Sequence, residues 1–182
     1  MPDDIIDAEY EVLENIKEAK EAEEPASDLV IVAPHPDDEI IGAYKYLIEP
    51  KARPVIIYSA ELDAKRKESV LKLKENVDCK LQLFQMSMPA PFLQLSNRFL
   101  FPDPIYELHP NHRAWGFMGE QMARNGFDVT FYSTNMNAPY IHEVEKPDEK
   151  RALLEKVYPD QKSLWEYDHK YFLFEGYCKW VF

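Results

Sequence analysis

The chain has 182 residues, 46% hydrophobic and 13% aromatic, enough length and apolar content for one domain with a substantial core. Its formal net charge is −12, of which residues 1–27 hold −8 (ten acidic side chains against two lysines), leaving −4 for the rest. That balance argues against a nucleic-acid or anionic-membrane footprint, since both need clustered Lys and Arg to displace counterions.

No apolar run approaches the roughly 18 residues of a bilayer span, and Met1-Pro2-Asp3-Asp4 has no basic start and no apolar leader. Two cysteines, Cys79 and Cys178, are too few for a disulfide framework in a chain of this size and suit a reducing compartment. A soluble cytoplasmic protein is expected. The oligomeric state is left open between a single chain and a homo-oligomer.

In residues 3–24, Ile5, Ile6, Val12, Leu13 and Ile16 recur at helical spacing among acids, until Glu24-Pro25 breaks the pattern. This acidic extension over residues 1–27 reads equally as a helix that docks on the domain or as a solvated tail. From residue 28 to 182 the pattern is that of one α/β domain. Strands are predicted over residues 29–33 and 54–59, with a helix over 40–48 between them. A charged helix over 63–75 and a strand over 80–84 follow. Continuous apolar strands alternating with helices predict a mostly parallel sheet covered on both faces.

Pro89, Pro91, Pro102 and Pro104 punctuate a long connection, within which residues 98–101 read as a fourth strand; a long irregular passage usually carries function. A helix over 111–124 stops at Asn125-Gly126, and residues 128–132 make a fifth strand. A polar stretch over 134–146, a helix over 147–157 and an aromatic tail over 165–182 complete the chain. The tail is read as core packing or a lid.

Chemistry concentrates in Pro34-His35-Pro36-Asp37-Asp38-Glu39, directly behind the first strand. Ligands of open α/β sheets gather outside the carboxyl ends of strands, which is where this loop falls. Asp37 or Glu39 alone would read as an N-cap or a first-turn acid favoured by the helix dipole. Together with His35 and Asp38 they read differently, because adjacent carboxylates repel unless something positive lies between them, and a borderline metal accepts both imidazole and carboxylate. A three-ligand site needs a further donor, which His109-Pro110-Asn111-His112-Arg113 can supply.

The two stretches together resemble the signatures of the PIG-L/LmbE-like family of zinc-dependent N-deacetylases, which act on N-acetylglucosamine conjugates. Pro34 to Glu39 matches the first signature throughout, and His109 to Arg113 matches the second except at Asn111, where the family has Asp. The predicted strands make a mostly parallel sheet of about five, and the resemblance implies a Rossmann-like three-layer sandwich around it. It implies Zn2+ as the cofactor, with Fe2+ or another divalent ion as alternatives, held by His35, Asp38 and His112. It further implies Asp37 as general base, and His109 as oxyanion stabiliser or as acid toward the leaving amine. The substrate it implies is a small N-acetylated sugar conjugate.

Asn111 puts a neutral amide where a carboxylate would support an imidazolium at His109. After the second strand, Ser59-Ala60-Glu61-Leu62 lacks the family's Gly-containing turn, and Lys65-Arg66-Lys67-Glu68 follows its pattern in outline. Arg66 is a candidate for a substrate hydroxyl or phosphate, and so is Arg113 unless it forms a surface ion pair. Late in the chain Lys150, Ala152 and Gln161 follow a family pattern whose His-x-Ser element is here Tyr158-Pro159-Asp160. Two other readings stay open: an amidase acting on a non-sugar N-acyl substrate, and a metal-containing sugar-binding or partner module without turnover.

Overall fold

The computed structural model describes residues 29–49, 53–58, 62–83, 96–166 and 170–180. The acidic extension, most of the Pro-punctuated connection and His169 lie outside the described residues. The first strand, β1 (Val30–Ala33), is entirely buried, and its alternate side chains serve opposite faces. Ile31 and Ala33 join one apolar cluster, Val30 and Val32 another. A strand buried on both faces has no use for polar alternation, which is why VIVA reads as a continuous apolar run.

Its neighbours repeat the pattern. β2 (Val55–Tyr58) and β4 (Arg98–Pro102) lie parallel to β1 on either side; β3 (Lys80–Leu83) extends the sheet beyond β2, and β5 (Asp128–Tyr132) beyond β4. The helices in chain order are α1 (Asp38–Ile41), α2 (Tyr44–Leu47), α3 (Ala64–Asn76), α4 (Pro110–Arg124), α5 (Pro147–Val157), α6 (Lys162–Glu166) and α7 (Lys170–Leu173). α1, α2, α3 and α5 supply the cluster that contains Ile31, while Trp115 and Met122 of α4 pack on the face of Val30 and Val32. No helix among the described residues is long and apolar enough to cross a membrane.

The expected α/β architecture with a mostly parallel sheet is present, but among the described residues the sheet has seven strands rather than about five, in the order β3-β2-β1-β4-β5-β7-β6. The additional pair is antiparallel: β7 (Phe174–Cys178) pairs with β5 and with the short β6 (Ile141–Glu143). The aromatic tail therefore continues the sheet. The β6 segment escapes a sequence reading because it is three residues long and half-exposed or exposed throughout, so it carries no apolar signal. The helix expected over 40–48 is instead two helices of four residues each, starting at Asp38 and interrupted at Gly42-Ala43. A Cβ on Gly42 would lie 2.3 Å from Cδ2 of Tyr132, so close packing on β5 requires glycine there.

Candidate metal centre

The strand order reverses between β1 and β4, where chains leave in opposite directions and open a crevice at their carboxyl ends. The loop after β1 brings His35 to Glu39 there, and the loop after β4 brings Glu107, His109 and His112. His112 sits in the first turn of α4, whose N-cap is His109 and whose first residue is Pro110, with φ already suited to a helix.

His35 Nδ1, Asp38 Oδ2 and His112 Nε2 converge. His35 Nδ1 is 3.0 Å from His112 Nε2 and 3.4 Å from Asp38 Oδ2, and His112 Nε2 is 3.1 Å from Asp38 Oδ2. Ligands at about 2.05 Å from a tetrahedral zinc stand about 3.3 Å apart, so the three donors have the spacing of one face of such a site. A second grouping shares two of these residues: His35, His109 and His112 each offer a nitrogen within 4.8 Å of the others and could hold a metal ion. The set with Asp38 is tighter and nearer to metal-ligand spacing, its donor atoms 3.0–3.4 Å apart, whereas the three histidine nitrogens lie within 4.8 Å of one another.

Charge points the same way. Asp37, Asp38, Glu39 and Glu107 are all buried around this spot, and buried carboxylates persist only when paired with donors or cations. Asp38 suffers from burial, but hydrogen bonds with His112 and His35 outweigh it and hold the carboxyl at about 2. Burial disfavours an imidazolium at His112, yet the hydrogen bonds with Asp38 and Glu107 raise it to about 10. Protonated His112 thus bridges two carboxylates, and a metal taking its Nε2 would displace that proton.

Sequence reasoning missed Glu107. Its Oε2 lies 2.9 Å from His112 Nδ1 and accepts from the Thr134 hydroxyl at 2.8 Å, while Oε1 accepts the Thr134 backbone N–H. A carboxylate on the far nitrogen fixes the imidazole's orientation and aims Nε2 at the centre. The only sequence trace is an acidic residue just ahead of the second motif. Thr134, which pins it, comes from the loop after β5.

Asp37 adopts φ 119° and ψ −27°, a left-handed conformation that is costly for a residue with a Cβ, on the order of 1–3 kcal/mol. Its N–H donates to Glu39 Oε2 at 3.1 Å, and its carbonyl accepts from Ile40 and Ile41 at 3.0 and 2.8 Å. Burial, followed by the charges of Asp38 and Glu39, raises the Asp37 carboxyl well above the ordinary range, partly offset by Arg66. Glu39 is fully buried, which raises its carboxyl to about 7 even though the Tyr158 hydroxyl donates to Oε1 at 2.7 Å.

Arg66 is drawn into the first motif: Nη1 donates to the Pro36 carbonyl at 2.7 Å and stands 3.7 Å from Asp37 Oδ2. Arg113 is not brought into the cluster. It is exposed, with its guanidinium 5.9 Å from the ring centroid of Phe117 one turn along α4. His142 lies on β6 beside Tyr177, with ring centroids 5.7 Å apart. At His109, Nδ1 accepts the N–H of Asn111 at 3.2 Å, so Asn111 supports it through its backbone. Burial and then the neighbouring His35 and His112 lower the His109 pKa, which favours a neutral ring carrying its proton on Nε2. A cleft of about 290 Å³ opens beside it, lined by Glu107, His109, Thr134, Asn135, Lys170 and Tyr171 among others.

Compared with protein-family models, curated proteins and solved structures, the chain matches none.

Proposed function

We propose that this protein is a metal-dependent hydrolase of the PIG-L/LmbE-like kind that removes the N-acetyl group from an N-acetylglucosamine-type conjugate, with zinc as its metal. The observation that carries the reading is the meeting of His35 Nδ1, Asp38 Oδ2 and His112 Nε2 at 3.0–3.4 Å, at the end of the sheet where ligands gather. The parallel strand order β3-β2-β1-β4-β5 is compatible with the first five positions of a doubly wound 3-2-1-4-5-6 sheet, which supports the family reading. Two free thiols agree with a reducing, cytoplasmic setting.

His35, Asp38 and His112 would hold the ion, which when bound lowers the pKa of a water and polarises the acyl carbonyl. Asp37, with its raised carboxyl pKa, is suited to take the proton of that water near neutral pH. Hydrolysis forms a bond from the water oxygen to the acyl carbon and breaks the carbon–nitrogen bond; the proton held by Asp37 passes to the departing amine. Of the two roles open to His109, the neutral ring with its proton on Nε2 favours donating a hydrogen bond to the carbonyl oxygen as charge develops there. Arg66 holds the loop that carries Asp37 and stands available to a substrate hydroxyl, while Arg113 is left as a surface side chain packed on Phe117. The remainder of the conjugate is expected in the cleft beside His109.

Asp37→Asn tests the assignment. Zinc should stay at one per chain while acetate release falls by about 10²-fold or more, the size of a lost general base. A variant retaining full activity would remove Asp37 from the mechanism.

A further inference from the structure

The helix carrying Asp38 and Glu39, α1, has four residues. So short a helix cannot fix its own orientation, because a single turn returns little for the backbone order it requires. Its orientation has to come from a neighbour, and α5 touches it at both ends. Near the start of α5, Lys150 Nζ donates to the carbonyl of Ile41 at 2.7 Å and to that of Phe174 at 3.1 Å. Just past the end of α5, Tyr158 donates its hydroxyl to Glu39 Oε1 at 2.7 Å, and the other oxygen of Glu39 holds the N–H of Asp37 at 3.1 Å.

Lys150, Tyr158 and Glu39 have no exposed surface, so water cannot replace either donor or the accepting carboxylate. Tyr58 of β2 backs the chain, its hydroxyl 3.5 Å from that of Tyr158. The order is therefore Tyr58, Tyr158, Glu39 and then the backbone of Asp37, the residue whose left-handed conformation needs support from its surroundings.

We propose that α5 is a clamp on α1, in which Lys150 holds one end and Tyr158 is a positioning residue that, through Glu39, keeps Asp37 in its left-handed conformation. The catalytic consequence rests on the deacetylase reading; the clamp itself does not. The hydrogen bonds of the two side chains go to backbone carbonyls, Glu39 and Tyr58 rather than to His35, Asp38 or His112.

The test uses the full-length chain and the variants Tyr158→Phe, which removes one oxygen, and Leu153→Ala, which removes apolar packing at a half-buried position of the same helix and leaves the Lys150 and Tyr158 hydrogen bonds in place. Amide hydrogen exchange at Asp37 is read in the metal-free protein. Acetate release is read after zinc loading. Tyr158→Phe should speed exchange of the Asp37 amide by about tenfold or more and lower kcat by about 10–100-fold, with KM within about twofold. Leu153→Ala should lower Tm while changing neither. Unchanged Asp37 exchange in Tyr158→Phe, or an equal change in Leu153→Ala, overturns the clamp.

Should Tyr158→Phe fail to fold, Lys150→Met carries the comparison at the other end. There the amide of Ile41, bonded to the Asp37 carbonyl at 2.8 Å, should exchange about tenfold faster, and no change overturns the clamp. Faster Asp37 exchange in a protein whose wild type releases no acetate would leave the clamp standing and remove the deacetylase reading. An active wild type with unchanged exchange in the variant would do the reverse.

Discussion

Glu107 does for His112 what no residue inside the second motif can do. Both its oxygens are occupied, one by the Thr134 N–H and the other by His112 and the Thr134 hydroxyl, so the carboxylate is held before it holds the imidazole. Glu107→Gln keeps the shape but withdraws the charge that raises the basicity of His112. Zinc affinity should fall by about 10–100-fold at unchanged stoichiometry, read by competition with a chromophoric chelator. An affinity equal to wild type would show that the orientation of His112 comes from elsewhere. At this scale the sequence is legible where chemistry sits in adjacent positions. His35, Asp38, His109 and His112 fall in two short motifs, whereas Glu107 and Tyr158 act through partners 27 and 119 residues away. Glu107 shows in the sequence only as an acid ahead of the second motif and Tyr158 only as a departure from a family pattern, and neither trace discloses the partner.

Among the elements, α4 joins the two halves of the site. It presents His112 in its first turn, and one turn later Gly116 lies against the chain that leaves β4: a Cβ there would come within 2.6 Å of Pro104 N and 2.7 Å of the Pro102 carbonyl oxygen. Backbone on backbone cannot relax as a flexible side chain can. Gly116→Ala should therefore displace the loop of residues 103–109, lowering stability by about 1–3 kcal/mol in urea and weakening zinc binding with it. Loss of stability with zinc affinity intact would separate this packing from the site.

Asp103, fully buried, ties down the same loop by accepting the N–H groups of Ile105 and Tyr106 at 2.6 and 2.7 Å and the Trp180 indole at 3.0 Å. Most of the long elements lie within a residue or two of where periodicity puts them, since β1, β2, β4 and β5 are apolar runs and α3, α4 and α5 have charged or capped ends. The helix after the first motif departs from expectation at Gly42, a poor helix former that close packing on Tyr132 of β5 requires. Local propensity cannot register a contact with β5.

At the scale of the molecule, the parallel strands deliver one loop from each side of the strand reversal to a single crevice. The antiparallel pair β6 and β7 then extends the sheet beyond β5. That extension is what the sequence conceals: β7 reads as an aromatic tail and β6 as a polar loop, and each becomes a strand only by pairing with the other or with β5. The mostly parallel core was legible because burial on both faces leaves an unbroken apolar signature. The site follows from the core, since the strand ends fix where the motifs meet.

The most direct test of this account is acetate release by the full-length protein across N-acetylglucosamine conjugates, N-acetylated amines and N-acetylated peptides, with metal content measured in the same samples. One zinc per chain is expected, with acetate released from the sugar conjugates, lost on chelation and restored by added zinc. Stoichiometric zinc with no acetate from any member of the panel, or release that chelation leaves untouched, would contradict it.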